Sequence, residues 1–180
     1  MKTAFVDVDT QLDFLYPAGA LYVPGAERIV PAVRDLNRFA AAHGIPVIST
    51  TDAHSENDPE FRVWPPHCVA GTWGQRKAEA TLLERGAEQI IAKKQIVDVG
   101  QAPEFLSAVE TLGADRFVVY GVVTEICVLF AARGLLKMGR EVTLVTDAIK
   151  ELSENGGRQA LEELRSGGAR LATTREVLAG

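Results

Sequence analysis

A thiol, an ammonium and carboxylates stand in this chain at places where an apolar run gives way to a turn. Cys127 follows the β-branched run Phe117-Val118-Val119-Tyr120 and the turn Gly121-Val122-Val123-Thr124. Gly121 permits a sharp change of direction, and Thr124 can cap a helix that begins at once. Cys127 then falls in the first helical turn, where free backbone N–H groups and the positive end of the macrodipole favour a thiolate. Asp9 closes the run Thr3-Ala4-Phe5-Val6-Asp7-Val8, and Lys93-Lys94 closes Gln89-Ile90-Ile91-Ala92. A carboxylate can take a thiol proton, while a lysine stabilises the resulting anions and tunes both pKa values. Taken singly, Asp9 reads as a turn cap, Lys94 as a solvated lysine and Cys127 as a small buried hydrophobe. Only their common placement at strand ends favours chemistry.

A second constellation lies in the segment after Asp52. Asp52 and His54 alternate on an extended stretch and can face one side. Of the three histidines, His54 and His67 sit in this segment, whereas His43, near a helix end, reads as a capping residue. Glu60 lies between them and can add a ligand. An Asp/His/Glu/His set suits Zn2+, Mn2+ or Fe2+; without convergence the same residues are loop caps and turns. Trp64, in Trp64-Pro65-Pro66-His67-Cys68, and Phe14, just after Asp9, can sandwich a flat substrate. Core filling is the plain alternative, stronger for Phe14. Cys68 reads as a spectator.

These residues need elements to position them. Apolar runs predict strands over residues 3–9, 46–51, 89–93, 117–120, 141–145 and 170–172. Helical periods fall over 26–43 (closed by Gly44), 75–85, 103–112, the Cys127 stretch and 154–165. Residues 52–74 carry neither period, and a structureless stretch of that length in a compact domain is usually functional or disordered. Its ligand-type and aromatic residues favour function. The alternation predicts one α/β domain over residues 1–180, a three-layer α/β/α sandwich with a six-stranded, mainly parallel sheet of Rossmann-like topology. In such sheets the site lies beyond the carboxyl ends of the strands, where their order reverses. The first four strand ends carry Asp9, Asp52, Lys93-Lys94 and the Cys127 turn. No Gly-x-Gly-x-x-Gly follows the first strand, which argues against a dinucleotide fold of the usual kind.

The chain has 180 residues, 47% of them hydrophobic and 24% charged, values of an ordinary globular domain. A formal charge of −5 without a basic stripe argues against nucleic acid and anionic membranes as partners. No apolar run reaches the length of a membrane span, and Asp7 comes too early for a signal peptide. Two cysteines in unlike contexts suggest a reduced compartment, and a cytoplasmic location is expected.

The motifs together resemble the isochorismatase-like cysteine hydrolases, and within them the nicotinamidase branch, over nearly the whole chain. The resemblance rests on Asp9-x-Gln11-x-Asp13-Phe14, Asp52-x-His54, Trp64-Pro65-Pro66-His67-Cys68-Val69 with Gly71-Thr72, and Gly121-Val122-Val123-Thr124-x-x-Cys127-Val128. It implies a catalytic triad of Asp9, Lys94 and Cys127, with a cis peptide between Val122 and Val123. It further implies an oxyanion hole from the backbone N–H groups of Val123 and Cys127, and a ring pair of Phe14 and Trp64. The implied metal ligands are Asp52, His54 and His67, with Glu60 as the candidate for a further one, around one divalent transition metal: zinc first, manganese or iron otherwise. The implied activity is hydrolysis of nicotinamide to nicotinate and ammonia through a Cys thioester, serving NAD salvage. Another amidase or isochorismatase-type activity, or a non-catalytic pyridine-binding module, is the alternative. The expected partners are a small carboxamide and further copies of the chain. Lys93 and Lys94 face opposite ways on a strand, so only one can be catalytic, and the spacing to Asp98 selects Lys94. Residues 98–103 lack the aromatic and serine pattern of many nicotinamidases.

Overall fold

The structure is a computed structural model, and it describes residues 1–83 and 88–180. In chain order it comprises β1 (Thr3–Val8), α1 (Leu12–Leu15), α2 (Val30–Ala42), β2 (Val47–Asp52), β3 (Gln89–Lys94), α3 (Pro103–Leu112), β4 (Arg116–Val122), α4 (Leu129–Lys137), β5 (Glu141–Lys150), α5 (Glu154–Ser166), β6 (Arg170–Ala172) and α6 (Thr174–Leu178). The six strands form one sheet in the order β3-β2-β1-β4-β5-β6, and every pairing is parallel. Helices cover both faces: α2 packs with α6, while α4 packs with α5 and shares the turn Val99–Gln101 with α3. β1 and β2 are buried from Ala4 and Val47 onward, as central parallel strands must be.

The strand order reverses between β1 and β4, which opens a crevice at their carboxyl ends. Gly121 sits there with φ +119°, and a Cβ on it would stand 2.1 Å from the Val8 carbonyl oxygen. Glycine thus lets the chain after β4 lie against the chain after β1. Gly100 and Gly134 make a second close approach. A Cβ on Gly134 would meet the Gly100 Cα at 2.6 Å, so the segment after β3 is drawn onto α4.

The structure departs from the sequence reading at four places. Residues 75–83 do not continue a helix; they form turns, a bridge from Lys77 to Gln11 and a short 3-10 turn at Glu79–Thr81, and residues 84–87 lie outside the described set. The reason is polar anchoring. The Lys77 ammonium is drawn inward to Asp7 and Thr10, and the Asn37 side chain donates to both Asp7 Oδ2 and the Thr81 carbonyl. Second, Thr124 caps nothing: Val123 holds the cap position, and a π turn (Thr124–Val128) leads into α4, with the Thr124 hydroxyl buried and unpartnered. Third, β5 runs on to Lys150, its pairing with β4 resuming past an irregularity at Gly121↔Ile149. Fourth, α6 follows the last strand under a capping box of Thr173 and Glu176.

Candidate active site

The fold brings the ends of β1, β3 and β4 to one pocket, whose lining includes Asp9, Lys94, Val123 and Cys127. Asp9 leaves β1 with φ +49°, a left-handed turn that swings its carboxylate into the crevice. Thr50 on β2 fixes it: the Thr50 hydroxyl donates to Asp9 Oδ1 at 2.6 Å, and the Asp9 amide donates to the Thr50 carbonyl at 3.1 Å. Lys94 closes β3 and is buried, with Nζ 3.0 Å from Asp9 Oδ2 and 3.8 Å from Cys127 Sγ. The same ammonium donates to Asp52 Oδ1. Lys93 points the other way and is exposed, its amide bonded to Glu104 on α3. Cys127 lies in the π turn and is buried, with the Lys94 ammonium directed at its sulfur. The peptide between Val122 and Val123 is cis.

The electrostatics overturn one expectation. Burial pushes the Cys127 thiol well above its ordinary value, Asp9 and Asp52 add to the rise, and Lys94 opposes it. This direction is opposite to the one that the helix terminus alone predicts. Burial likewise raises Asp9, against the pull of Lys94. Burial alone would lower Lys94, but Asp9, Cys127 and Asp52 together hold it well above its usual value, as a permanent cation.

A second cluster abuts the first. Asp52, His54 and His67 are buried, and one ligand atom from each lies within 4.8 Å of the others. Asp52 Oδ2 stands 3.7 Å from His54 Nε2 and 3.8 Å from His67 Nε2, and Glu60 Oε1 lies 3.8 Å from the same His67 nitrogen. Both rings are held by their other nitrogen, His54 Nδ1 against Asp58 Oδ2 at 3.0 Å and His67 Nδ1 against the Pro65 carbonyl at 2.8 Å. That leaves both Nε2 atoms aimed inward, and the one on His54 has no hydrogen-bond partner. Burial alone would lower the His54 pKa, but Asp52 and then Asp58 raise it to about 9. The cluster thus favours added positive charge, whether a proton or a cation.

Phe14 and Trp64 both line the pocket, with the Phe14 ring centroid 5.5 Å from that of His67. Phe14 also belongs to the hydrophobic core. Cys68 is wholly buried, and burial pushes its thiol far up. Several residues escaped the sequence reading. Asp58 orients His54 from four residues on. Phe61 packs on both imidazoles, its centroid 5.4 Å from His54 and 5.7 Å from His67. Asp13 receives the amides of Ala20 and Cys68, pinning the His67 segment to α1. Thr50 gave no signal beyond lying in a buried strand. Leu21, Val23, Val97, Val122, Ile126 and Leu152 add aliphatic side chains to the pocket wall.

A doubly wound parallel sheet with its polar site at the switch point places the molecule in the α/β class. The isochorismatase domain model matches residues 3–176, and the chain belongs to the isochorismatase family. It is similar to the zinc complex of a pyrazinamidase from Pyrococcus horikoshii, with TM-score 0.86 and 31% identity over 96% of this chain and 99% of that one. It is 28% identical to a nicotinamidase/pyrazinamidase of Mycobacterium tuberculosis, over 93% of this chain and 97% of that protein. A nicotinamidase of Saccharomyces cerevisiae is 26% identical, over 86% of this chain and 90% of its own length.

Proposed function

We propose that this chain is an amide hydrolase that converts nicotinamide and water to nicotinate and ammonia. The observation that carries the reading is the single ammonium of Lys94, placed 3.0 Å from a buried carboxylate and 3.8 Å from a buried thiol at the floor of an apolar pocket. In this reading Asp9 takes the Sγ proton of Cys127 as the sulfur attacks the carboxamide carbon, and Lys94 keeps the pair from accumulating negative charge. The backbone N–H groups of Val123 and Cys127 receive the oxyanion. Collapse breaks the C–N bond while Asp9 returns its proton to the nitrogen, and ammonia leaves. Asp9 then deprotonates a water that attacks the thioester, and the proton ends on Sγ as nicotinate departs. Phe14 and Trp64 hold the ring plane.

The donor set fits a divalent transition metal, since the unpartnered His54 Nε2 faces Asp52 and His67 inside a buried, acid-rich cluster. Asp52, His54, His67 and Glu60 would hold it, zinc being the first candidate, and when bound it would supply a Lewis acid for a pyridine nitrogen. Two free cysteines support a reduced, cytoplasmic setting. The exposed Ile91 on the edge strand β3 and Ile96 just beyond its end support a homo-oligomer. Among the described residues no helix is long and apolar enough to cross a membrane. An ammonia-release screen over nicotinamide, pyrazinamide and simple aliphatic amides tests the reading, with Cys127→Ser as control. Release from nicotinamide by the wild type alone is expected; no release from any amide would remove it.

A further inference from the structure

Asp7 and Lys77 form an ion pair in the interior, with side chains 0% and 5% exposed. Neither lines the pocket, and the proposed reaction uses neither. Asp7 sits on β1, two residues before the base. Its Oδ2 also accepts from Asn37 on α2 at 2.7 Å, and Asn37 accepts in turn from the Tyr120 hydroxyl on β4. A buried pair of this kind is seldom more stabilising than apolar side chains of equal volume. What this pair grips is the turn that carries Asp9.

The link is Thr10. Its hydroxyl donates to Asp7 Oδ1 at 2.7 Å and accepts from the Lys77 ammonium. Its carbonyl accepts the Ala78 amide at 2.9 Å, and Gln11 forms a backbone bridge with Lys77. Asp9 precedes Thr10 with φ +49°, and the Gln11 amide closes the turn on the Asp9 carbonyl at 2.7 Å. A residue other than glycine keeps a left-handed conformation only where its surroundings fix it. Thr50 holds Asp9 from β2, and Thr10, clamped between Asp7 and Lys77, holds the chain on its other side. Burial lowers the Lys77 ammonium below its usual range, opposed by Asp7 and more weakly by Asp9, so its charge also reaches the base.

We infer that Asp7 and Lys77 are positioning residues, acting through Thr10 to hold Asp9 in the left-handed turn from which its carboxylate meets Lys94. The inference rests on the amide-hydrolase reading for the role of Asp9, and adds to it residues outside the pocket.

Two perturbations test it. Thr10→Val removes the hydroxyl and leaves the ion pair, with Thr10→Ser as the rescue. Asp7→Asn combined with Lys77→Met removes both charges at nearly constant volume, and Asp9→Asn is the benchmark. Each variant is followed by thermal unfolding, by nicotinamide kinetics and by the rate at which iodoacetamide alkylates Cys127. Thr10→Val and the double variant are expected to lower kcat about tenfold or more with KM little changed, as misplacement of a reacting group does. Both should slow alkylation in the direction of Asp9→Asn, and Thr10→Ser should recover both readouts. Wild-type kcat and alkylation in folded Thr10→Val, or in the folded double variant, overturns the inference. A loss that Thr10→Ser retains in full belongs to packing and overturns it as well. If the double variant fails to fold, Thr10→Val decides. Absence of ammonia release from any amide by the wild type removes the hydrolase reading instead, and the alkylation rates still decide the positioning.

Discussion

Asp52 divides its carboxylate between two clusters: Oδ1 accepts from Lys94, while Oδ2 faces His54 and His67 at 3.7 and 3.8 Å. The ammonium beside the thiol and the imidazoles of the second cluster thus share one anion. Asp52→Asn keeps the shape and removes the charge. It is expected to lower both metal content and kcat, whereas His54→Ala should act mainly on metal content and KM. Elemental analysis beside steady-state kinetics separates the two; wild-type kcat in Asp52→Asn would show that the clusters work independently.

Lys93 and Lys94 give a sharper contrast. Lys93→Ala removes an exposed side chain and should leave activity and stability near wild type. Lys94→Ala leaves Asp9 and Asp52 buried without their cation, a loss of about 3–5 kcal/mol for a broken buried pair, and should cost several orders of magnitude in kcat. Urea titrations with kinetics check both, and a reversed pattern would place the working ammonium on Lys93.

For the nucleophile, Cys127→Ser should fold normally and fail to turn over, since a hydroxyl beside Asp9 is the weaker nucleophile. Limited iodoacetamide treatment followed by mass spectrometry should mark Cys127 before Cys68. Cys127 lines the pocket and keeps 9% of its surface, and Cys68 keeps none. Labelling of Cys68 first would refute the assignment.

The strands and most helices were legible because burial writes itself into composition. β4 is a near-continuous apolar run and β1 carries Ala4, Phe5, Val6 and Val8, while α3 begins on Pro103 and ends before Gly113, as expected. The stretch from residue 75 was misread because its helical period yields to long-range polar anchors. Lys77 reaches Asp7 across 70 positions, a pairing no local pattern encodes. Likewise Asp9, Lys94 and Cys127 could be placed at strand ends from their neighbours, but the burial that raises the thiol could not. That depends on how deeply three separate segments bury it. Asp58 was missed because a carboxylate beside Pro59 reads first as a turn residue, and only the fold turns it onto His54.

The Asp9 carboxyl is raised by burial against the pull of Lys94. It must be ionised to accept the thiol proton, so activity is present above its folded pKa and is lost as pH falls through it. The acid limb of kcat/KM should therefore lie above the ordinary aspartate value of about 3.9. Thr50→Val removes the hydroxyl that steadies the ionised form and should move that limb further up, while Thr50→Ser should restore it. A limb at the ordinary carboxyl value in the wild type would show that Asp9 is not the base.

The metal cluster makes the last test, because its ligands come from one irregular segment and its support from outside the ligand set. Purified protein is expected to carry about one transition metal per chain. Chelation should chiefly raise KM, since in the proposed reaction the thiol, the carboxylate and the ammonium do the bond-making. Glu60→Ala should weaken retention less than His54→Ala: Glu60 stands 3.8 Å from His67 Nε2 and within 4.8 Å of a His54 nitrogen, but it is only partly buried where His54 is fully enclosed. Asp58→Ala touches none of the proposed ligands, yet it removes the 3.0 Å contact that holds His54 Nδ1 and aims Nε2 inward. Losing such an orienting carboxylate typically costs about 10–100-fold in metal affinity. Competition against a chelator of known affinity, run on the wild type and on Asp58→Ala, Asp58→Asn and Glu60→Ala, ranks these contributions directly. Recovery in Asp58→Asn would assign the effect to the hydrogen bond, and continued loss would assign it to charge. Wild-type protein that is free of metal yet turns over nicotinamide fully would remove the metal from the reaction and leave Asp9, Lys94 and Cys127 to account for it alone.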